Sequence, residues 1–143
     1  MLQQTSWKMT YPVRIVDAIP ASEHLALYRD AGWWKDGEDE SRLSLIISGS
    51  FLTAAAYDSE GRCIGMGRMI SDGASDGYIQ DVVVFNAYRG HGIGAALVKL
   101  LKDEGLARGL SWIGLIAEPG TKAFYEKLGF AEMDNYVPML LKR

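Results

Sequence analysis

Residues 78–108, YIQDVVVFNAYRGHGIGAALVKLLKDEGLAR, admit few structures. Ile79, Val82, Val83, Val84 and Phe85 form a β-branched and aromatic run, a short polar loop follows, and glycines stand at 90, 92 and 94. Ile93, Leu97, Leu100 and Leu101 then recur at i, i+4, i+7 and i+8. The first pattern suits a pleated strand, the second a helix with one apolar stripe that leaves Lys99, Lys102 and Asp103 outward. The stretch therefore predicts a strand, a glycine turn and a helix, closed by Arg108 and Gly109 as a cation and a terminating glycine in the expected order. A helix start has unpartnered N–H groups and a partial positive charge, so an anion can bind there if the backbone is approachable. The three glycines are expected to keep it approachable, and Arg89 adds charge. The spacing departs from the dinucleotide fingerprint, which places its third glycine one residue later, and it lacks the Gly-Lys-Ser/Thr ending of a P-loop.

Arg89-Gly90-His91-Gly92-Ile93-Gly94 resembles the Arg/Gln-x-x-Gly-x-Gly/Ala motif of the GCN5-related N-acetyltransferase (GNAT) superfamily, and Phe124-Tyr125-Glu126-Lys127-Leu128-Gly129-Phe130 fits the same family downstream. The resemblance implies an α+β fold, a mixed and mostly antiparallel central sheet flanked by helices on both faces. It implies transfer of the acetyl group of acetyl-CoA to a primary amine by direct attack in a ternary complex, the acceptor being a small amine or a protein amine. On that footing Val82, Val83 and Val84 lend main-chain groups to the pantetheine arm. Arg89, Gly90, His91, Gly92, Ile93, Gly94 and Ala95 wrap the pyrophosphate, and Tyr125 matches the tyrosine that protonates the departing thiolate. Gly120 stands where the family often has an asparagine, which removes a side-chain contact to the cofactor. The alternative from another class is a non-catalytic acyl-CoA-binding or sensing module.

The base is a separate question. Tyr78-Ile79-Gln80-Asp81 resembles the Tyr-Leu-Glu-Asp pattern of diamine acetyltransferases, with Gln80 where a glutamate stands there, and an amide accepts no proton at neutral pH. Side chains alternate along a strand, so Gln80 and Asp81 are expected on opposite faces, with at most one toward the acceptor. Asp81 is the first candidate base and Glu118 the second; each reads equally well as a solvated or capping carboxylate. Tyr28, Trp33, Trp34, Tyr78, Gln80 and Glu118 are the expected acceptor side. The adjacent tryptophans lie in a loop flanked by Gly32 and Gly37, and two rings filling a gap between helices is the competing account.

Composition narrows the classes. A chain of 143 residues, 48% hydrophobic and 23% charged, suits one domain spanning 1–143 with a proper core. Net charge is −3 and no Lys/Arg cluster occurs, which argues against nucleic acid and mildly for a cationic acceptor. Cys63 is a lone cysteine that reads as a buried strand thiol rather than a catalytic nucleophile, for which no partner histidine is apparent. Asp72 and Asp76 resemble the start of a calcium loop, but the further ligands are missing, so no metal is expected. No apolar run reaches membrane-spanning length and MLQQTSWKMT carries no signal-peptide core, giving a cytoplasmic expectation with no membrane partner. Dimers are common in the family, which leaves room for a homodimer. His24 is expected at the surface, and His91 toward solvent or the cofactor's nucleotide.

The remaining chain reads in order as loosely ordered residues 1–12, a strand near 13–17, a helix after Pro20, a second helix carrying Leu43, Ile46 and Ile47, and a hairpin over 51–70 in which Gly65 and Gly67 mark a bulge or a close neighbour. After the long helix come a strand at 112–117, a short helix capped by Thr121, and a final strand or strands from Phe130 to Arg143.

Overall fold

The computed structural model describes residues 10–143. The elements are β1 (Val13–Ile15), α1 (Ala21–Asp30), α2 (Arg42–Ser48), β2 (Leu52–Tyr57), β3 (Cys63–Ser71), β4 (Asp76–Val84), a 3-10 turn at Asn86–Tyr88, α3 (Ile93–Ala107), β5 (Trp112–Leu115) and α4 (Lys122–Glu126). The strands lie in sequence order in one sheet, antiparallel from β1 to β4 and parallel between β4 and β5. This is the α+β architecture with a mixed, mostly antiparallel sheet.

The two faces carry separate cores. Alternation along β2 sends Ala55 and Tyr57 to the face covered by α1 and α2, where Leu27, Tyr28, Leu43, Ile47, Met66 and Val83 join them. Leu52, Ala54 and Ala56 go to the other face, against Ile93, Leu97, Val98 and Leu101 of α3. The small residues of the hairpin let α3 lie close. A methyl group at Gly67 would come within 3.1 Å of Leu101 Cδ1, so at this position the glycine answers a packing demand.

α3 ends as expected and with more detail. Gly109 takes φ +94°, its N–H donates to the Leu106 carbonyl at 3.0 Å, and Leu110 N–H reaches the Gly105 carbonyl at 3.1 Å. This is a Schellman ending, and the apolar Leu110 that follows it is buried.

Three expectations need adjustment. β1 ends at Ile15, although Val16 N–H still donates to the Thr53 carbonyl at 2.9 Å. Of residues 1–12, those from 1 to 9 lie outside the described residues, while the Pro12 carbonyl accepts from Tyr57 N–H at 3.0 Å. The third difference is larger. Phe130 packs on the α3 side of the core, Tyr136 N–H closes a turn on the Met133 carbonyl at 3.2 Å, and no strand forms from Phe130 to Arg143. Tyr136, Val137, Met139 and Leu141 have strand-forming side chains, but a strand exists only against a partner edge, and here these residues are exposed.

Candidate active site

β4 and β5 pair only from Asp76↔Trp112 to Ile79↔Leu115. β4 then continues to Val84, still paired with β3, while the chain beyond Leu115 diverges. A cleft of about 310 Å³ opens in this fork, with Ile79, Gln80, Asp81 and Val82 of β4, Ile116, Glu118 and Thr121 from the segment beyond β5, and Trp33 and Tyr125 completing its lining.

The β4 side is shaped by a bulge. Met66 pairs with Val83 and Arg68 with Gln80, so Gly67 alone faces both Asp81 and Val82, and Asp81 takes φ +54°. An L-residue at positive φ is uncommon, although aspartate tolerates it better than most. The bulge breaks the alternation that was expected to separate Gln80 from Asp81. Arg68 reaches both: Nε donates to Asp81 Oδ2 at 2.7 Å and Nη2 to Gln80 Oε1 at 3.1 Å, while Nη1 meets Ser50 Oγ at 3.4 Å. The Tyr28 hydroxyl also donates to Asp81 Oδ2, at 2.5 Å. Both residues therefore line the same cleft, with one Asp81 oxygen already holding two donors. Burial, and then the carboxylate it serves, push the Tyr28 hydroxyl far up from its ordinary value, so it stays a proton donor to Asp81.

Across the cleft, Tyr125 projects from α4 with its ring edge-on to Phe124 and Phe130 at 4.9 and 6.1 Å. Burial raises its phenol above the usual range, and the nearby Glu118 carboxylate raises it further. Glu118 itself is exposed on the segment leaving β5. Its carbonyl accepts the Thr121 hydroxyl at 2.7 Å and the Thr121 N–H at 3.1 Å, so Thr121 anchors the Glu118–Thr121 turn; no side chain caps α4.

At the far end of β4 stands the start of α3. Gly92 occupies the cap position at φ +75° and Gly90 has φ +84°, yet a methyl group on either would meet nothing within 4 Å. These two glycines serve the backbone path rather than a lack of room. No side chain caps the helix, and the first bond closing on the turn runs from Ala96 N–H to the Gly92 carbonyl. The N–H groups of Ile93, Gly94 and Ala95 thus belong to the unpartnered first turn, with exposed Arg89 beside them. A methyl group at Gly94 would lie 3.5 Å from Phe124 Cζ and 3.8 Å from Val84 Cγ2, which puts this helix start next to both walls of the fork. His91 is exposed, with Nδ1 3.0 Å from the Tyr88 carbonyl.

The other candidates are distributed more widely. Of the adjacent tryptophans, Trp33 lines the cleft, edge-on to Tyr28 at 5.6 Å, and Trp34 packs on the α1 face. Tyr78 lies outside the fork, in a groove alongside β5, and Val83 and Val84 face the two cores. Cys63 is buried, its thiol pushed up to about 11 chiefly by burial, which leaves it a packing residue.

His24 corrects the surface expectation: only 1% exposed, it stacks edge-on to Tyr28 at 4.4 Å, its Nε2 has no hydrogen-bond partner among the described residues, and burial lowers its pKa. Arg68 is the residue that reading by motif passes over. Its signal was a cation inside the otherwise apolar Cys63–Ile70 run.

Comparison with known proteins is consistent with this geometry. A sequence profile described as the acetyltransferase (GNAT) family matches residues 13–130. The chain is 35% identical over 115 residues to a histone acetyltransferase, TAP1, of Glycine max, covering 73% of this chain and 49% of the relative. It is 37% identical over 95 residues to the chloroplastic serotonin N-acetyltransferase 2 of Oryza sativa subsp. japonica, covering 64% and 48%. The chain thus spans about half the length of these relatives. A crystal structure of a Staphylococcus aureus protein of unknown function, a probable acetyltransferase, superposes with a TM-score of 0.77 at 25% identity, covering 92% of this chain and 100% of the other.

Proposed function

The chain belongs to the acetyltransferase (GNAT) family, and from that premise we infer that it is an acetyl-CoA-dependent N-acetyltransferase acting on a primary amine by direct attack in a ternary complex. The observation that carries the reading is the fork between β4 and β5, with the uncapped start of α3 at one end and Tyr125 on its wall. Backbone groups of 82–84 would hold an extended arm in the fork, and the first-turn N–H groups of α3 with Arg89 would hold its phosphates. Acetyl-CoA, when bound, supplies an activated acetyl thioester.

The chain's own residues then divide the proton work. A nucleophilic amine must lose a proton and the departing thiolate must gain one. Glu118, exposed and lining the cleft, would take the first. Tyr125, whose phenol is raised by burial, keeps its proton at neutral pH and would give the second. Asp81, with Arg68 and Tyr28 both on Oδ2, is assigned to shaping the cleft and presenting negative charge to a cationic amine.

The two curated relatives are named for a protein substrate and a small arylalkylamine, so the acceptor panel should hold both classes. Free-thiol release from acetyl-CoA is expected with at least one of a diamine, serotonin or a lysine-bearing histone-tail peptide. Tyr125→Phe is expected to lower that release on the order of 10²–10⁴-fold. Binding of acetyl-CoA with no release across the panel would replace this reading with the acyl-CoA-binding module.

A further inference from the structure

β4 runs into the 3-10 turn Asn86–Tyr88, and that turn leads through Arg89 to the start of α3. No side chain at the turn's own cap position satisfies its first donors. The Asn86 N–H is met from 56 residues away, where Asp30 Oδ2 accepts it at 2.9 Å. Asp30 is the last residue of α1, and two residues before it Tyr28 donates to Asp81 Oδ2 at 2.5 Å. The end of one helix is therefore fastened to β4 at Asp81 and to the chain just past β4 at Asn86. Between these two points lie Val82, Val83 and Val84, whose main chain is assigned above to the cofactor's arm.

What the turn fixes is Arg89. Tyr88 N–H closes on the Phe85 carbonyl at 2.8 Å and Arg89 N–H on the Asn86 carbonyl at 3.3 Å, after which Arg89 leaves in an extended conformation, φ −66° and ψ 155°. Its side chain is exposed and belongs to none of the ion pairs among the described residues. The turn is also packed by Tyr11, edge-on to Tyr88 at 5.5 Å and to His91 at 5.7 Å.

We propose that Asp30 is a positioning residue for the cofactor's phosphates: its carboxylate sets the Asn86–Tyr88 turn, and through it the direction of Arg89 relative to the unpartnered N–H groups that open α3. The inference rests on the cofactor reading above. Charge sharpens it. A carboxylate near an anion site repels the anion, and solvent screening weakens that repulsion without reversing its sign. By its charge alone Asp30 would work against binding. What the turn takes from it is an acceptor for an otherwise uncapped N–H, and a carboxylate oxygen is a strong one. The two contributions have opposite signs, so two substitutions separate them. Asp30→Asn removes the charge and keeps an oxygen; Asp30→Ala removes both.

Calorimetric titration of the full chain with CoA, and with pantetheine, which has the arm but no phosphate, tests this role without an activity assay. Asp30→Ala is expected to raise the dissociation constant for CoA about three- to tenfold, the equivalent of one net hydrogen bond, and to leave that for pantetheine within about twofold. Asp30→Asn should bind CoA as tightly as the parent or more tightly. Unchanged CoA affinity in Asp30→Ala, an equal loss for CoA and pantetheine, or an Asn variant as weak as the Ala variant would each overturn the proposal. In the unsubstituted chain the Asn86 amide should resist hydrogen exchange, and its resonance should move on addition of CoA and stay in place with pantetheine. An Asn86 amide that exchanges freely or ignores CoA sinks the proposal even if Asp30→Ala does not fold. A parent chain that binds no CoA at all removes the function proposed above along with this role, whereas CoA binding indifferent to Asp30 removes this role alone.

Discussion

Arg68 and Asp81 meet at 2.7 Å across the bulge in β4, with the guanidinium Nε donating to the carboxylate Oδ2. Their side chains are only 14% and 26% exposed, so this pair is worth more than a surface salt bridge. It also compensates an aspartate held at positive φ. Arg68→Met should lower unfolding free energy by about 1.5–3 kcal/mol, the range for hydrogen bonds to charged groups, as read from urea midpoints at constant slope.

Asp81 and Glu118 should separate by role. Asp81→Asn keeps an oxygen for the Tyr28 hydroxyl, and turnover is expected to stay within about tenfold of the parent. Glu118→Gln removes the proposed proton acceptor and should cost on the order of 10²–10⁴-fold in kcat. A reversed order, measured with saturating acetyl-CoA, would return the base to Asp81.

On the proposed mechanism the alkaline limb of the rate profile should report Tyr125. Burial and the Glu118 carboxylate both disfavour the phenolate, so the acid form persists above the ordinary tyrosine value of about 10. In the residual activity of Glu118→Gln the second influence is gone, and the limb should move down in pH. A limb that stays in place or moves up would separate Tyr125 from the thiolate's proton.

Gly92 and Gly94 look alike in the motif and should behave differently. Gly92→Ala forces a side chain into the left-handed region and should destabilise by about 1–2 kcal/mol, with a raised KM for acetyl-CoA. Gly94 lies within α3 in ordinary contact with Phe124, and Gly94→Ala should be neutral or stabilising by up to about 1 kcal/mol. Thermal melts of the two variants make the comparison.

His24 predicts an acid-side effect. Its pKa is lowered in the folded chain, so the unfolded chain binds more protons below the usual value of 6.5. The stability held above that pH is therefore lost as pH falls from about 6.5 toward the depressed folded value. His24→Phe should flatten this slope. At neutral pH the substitution should be neutral or stabilising, because the orphaned Nε2 disappears. Denaturation midpoints at pH 5 and pH 7.5 provide the check.

Much of this molecule is written in local pattern. The strand at Ile79–Val84, the glycine turn, the stripe on α3 and its ending at Gly109 follow from side-chain period, dipole and backbone conformation, which depend on near neighbours alone. Tyr125 and Glu118 were legible as candidates because motif and position named them. What local pattern could not carry is long-range. Asp81 is a non-glycine at positive φ, held there by Arg68 thirteen residues earlier and Tyr28 fifty-three residues earlier, and that bulge alone turns Gln80 and Asp81 into one cleft. His24 has no apolar letter to mark it as core. The residues from Phe130 onward have the composition of a strand, but pairing is a property of two edges, and the chain's path from α4 leaves theirs unfilled. The sequence alone determined the elements and the chemistry available along them; the tertiary structure decided which carboxylate is engaged, which is free, and where the sheet stops, because each of those depends on contacts between residues far apart in the chain.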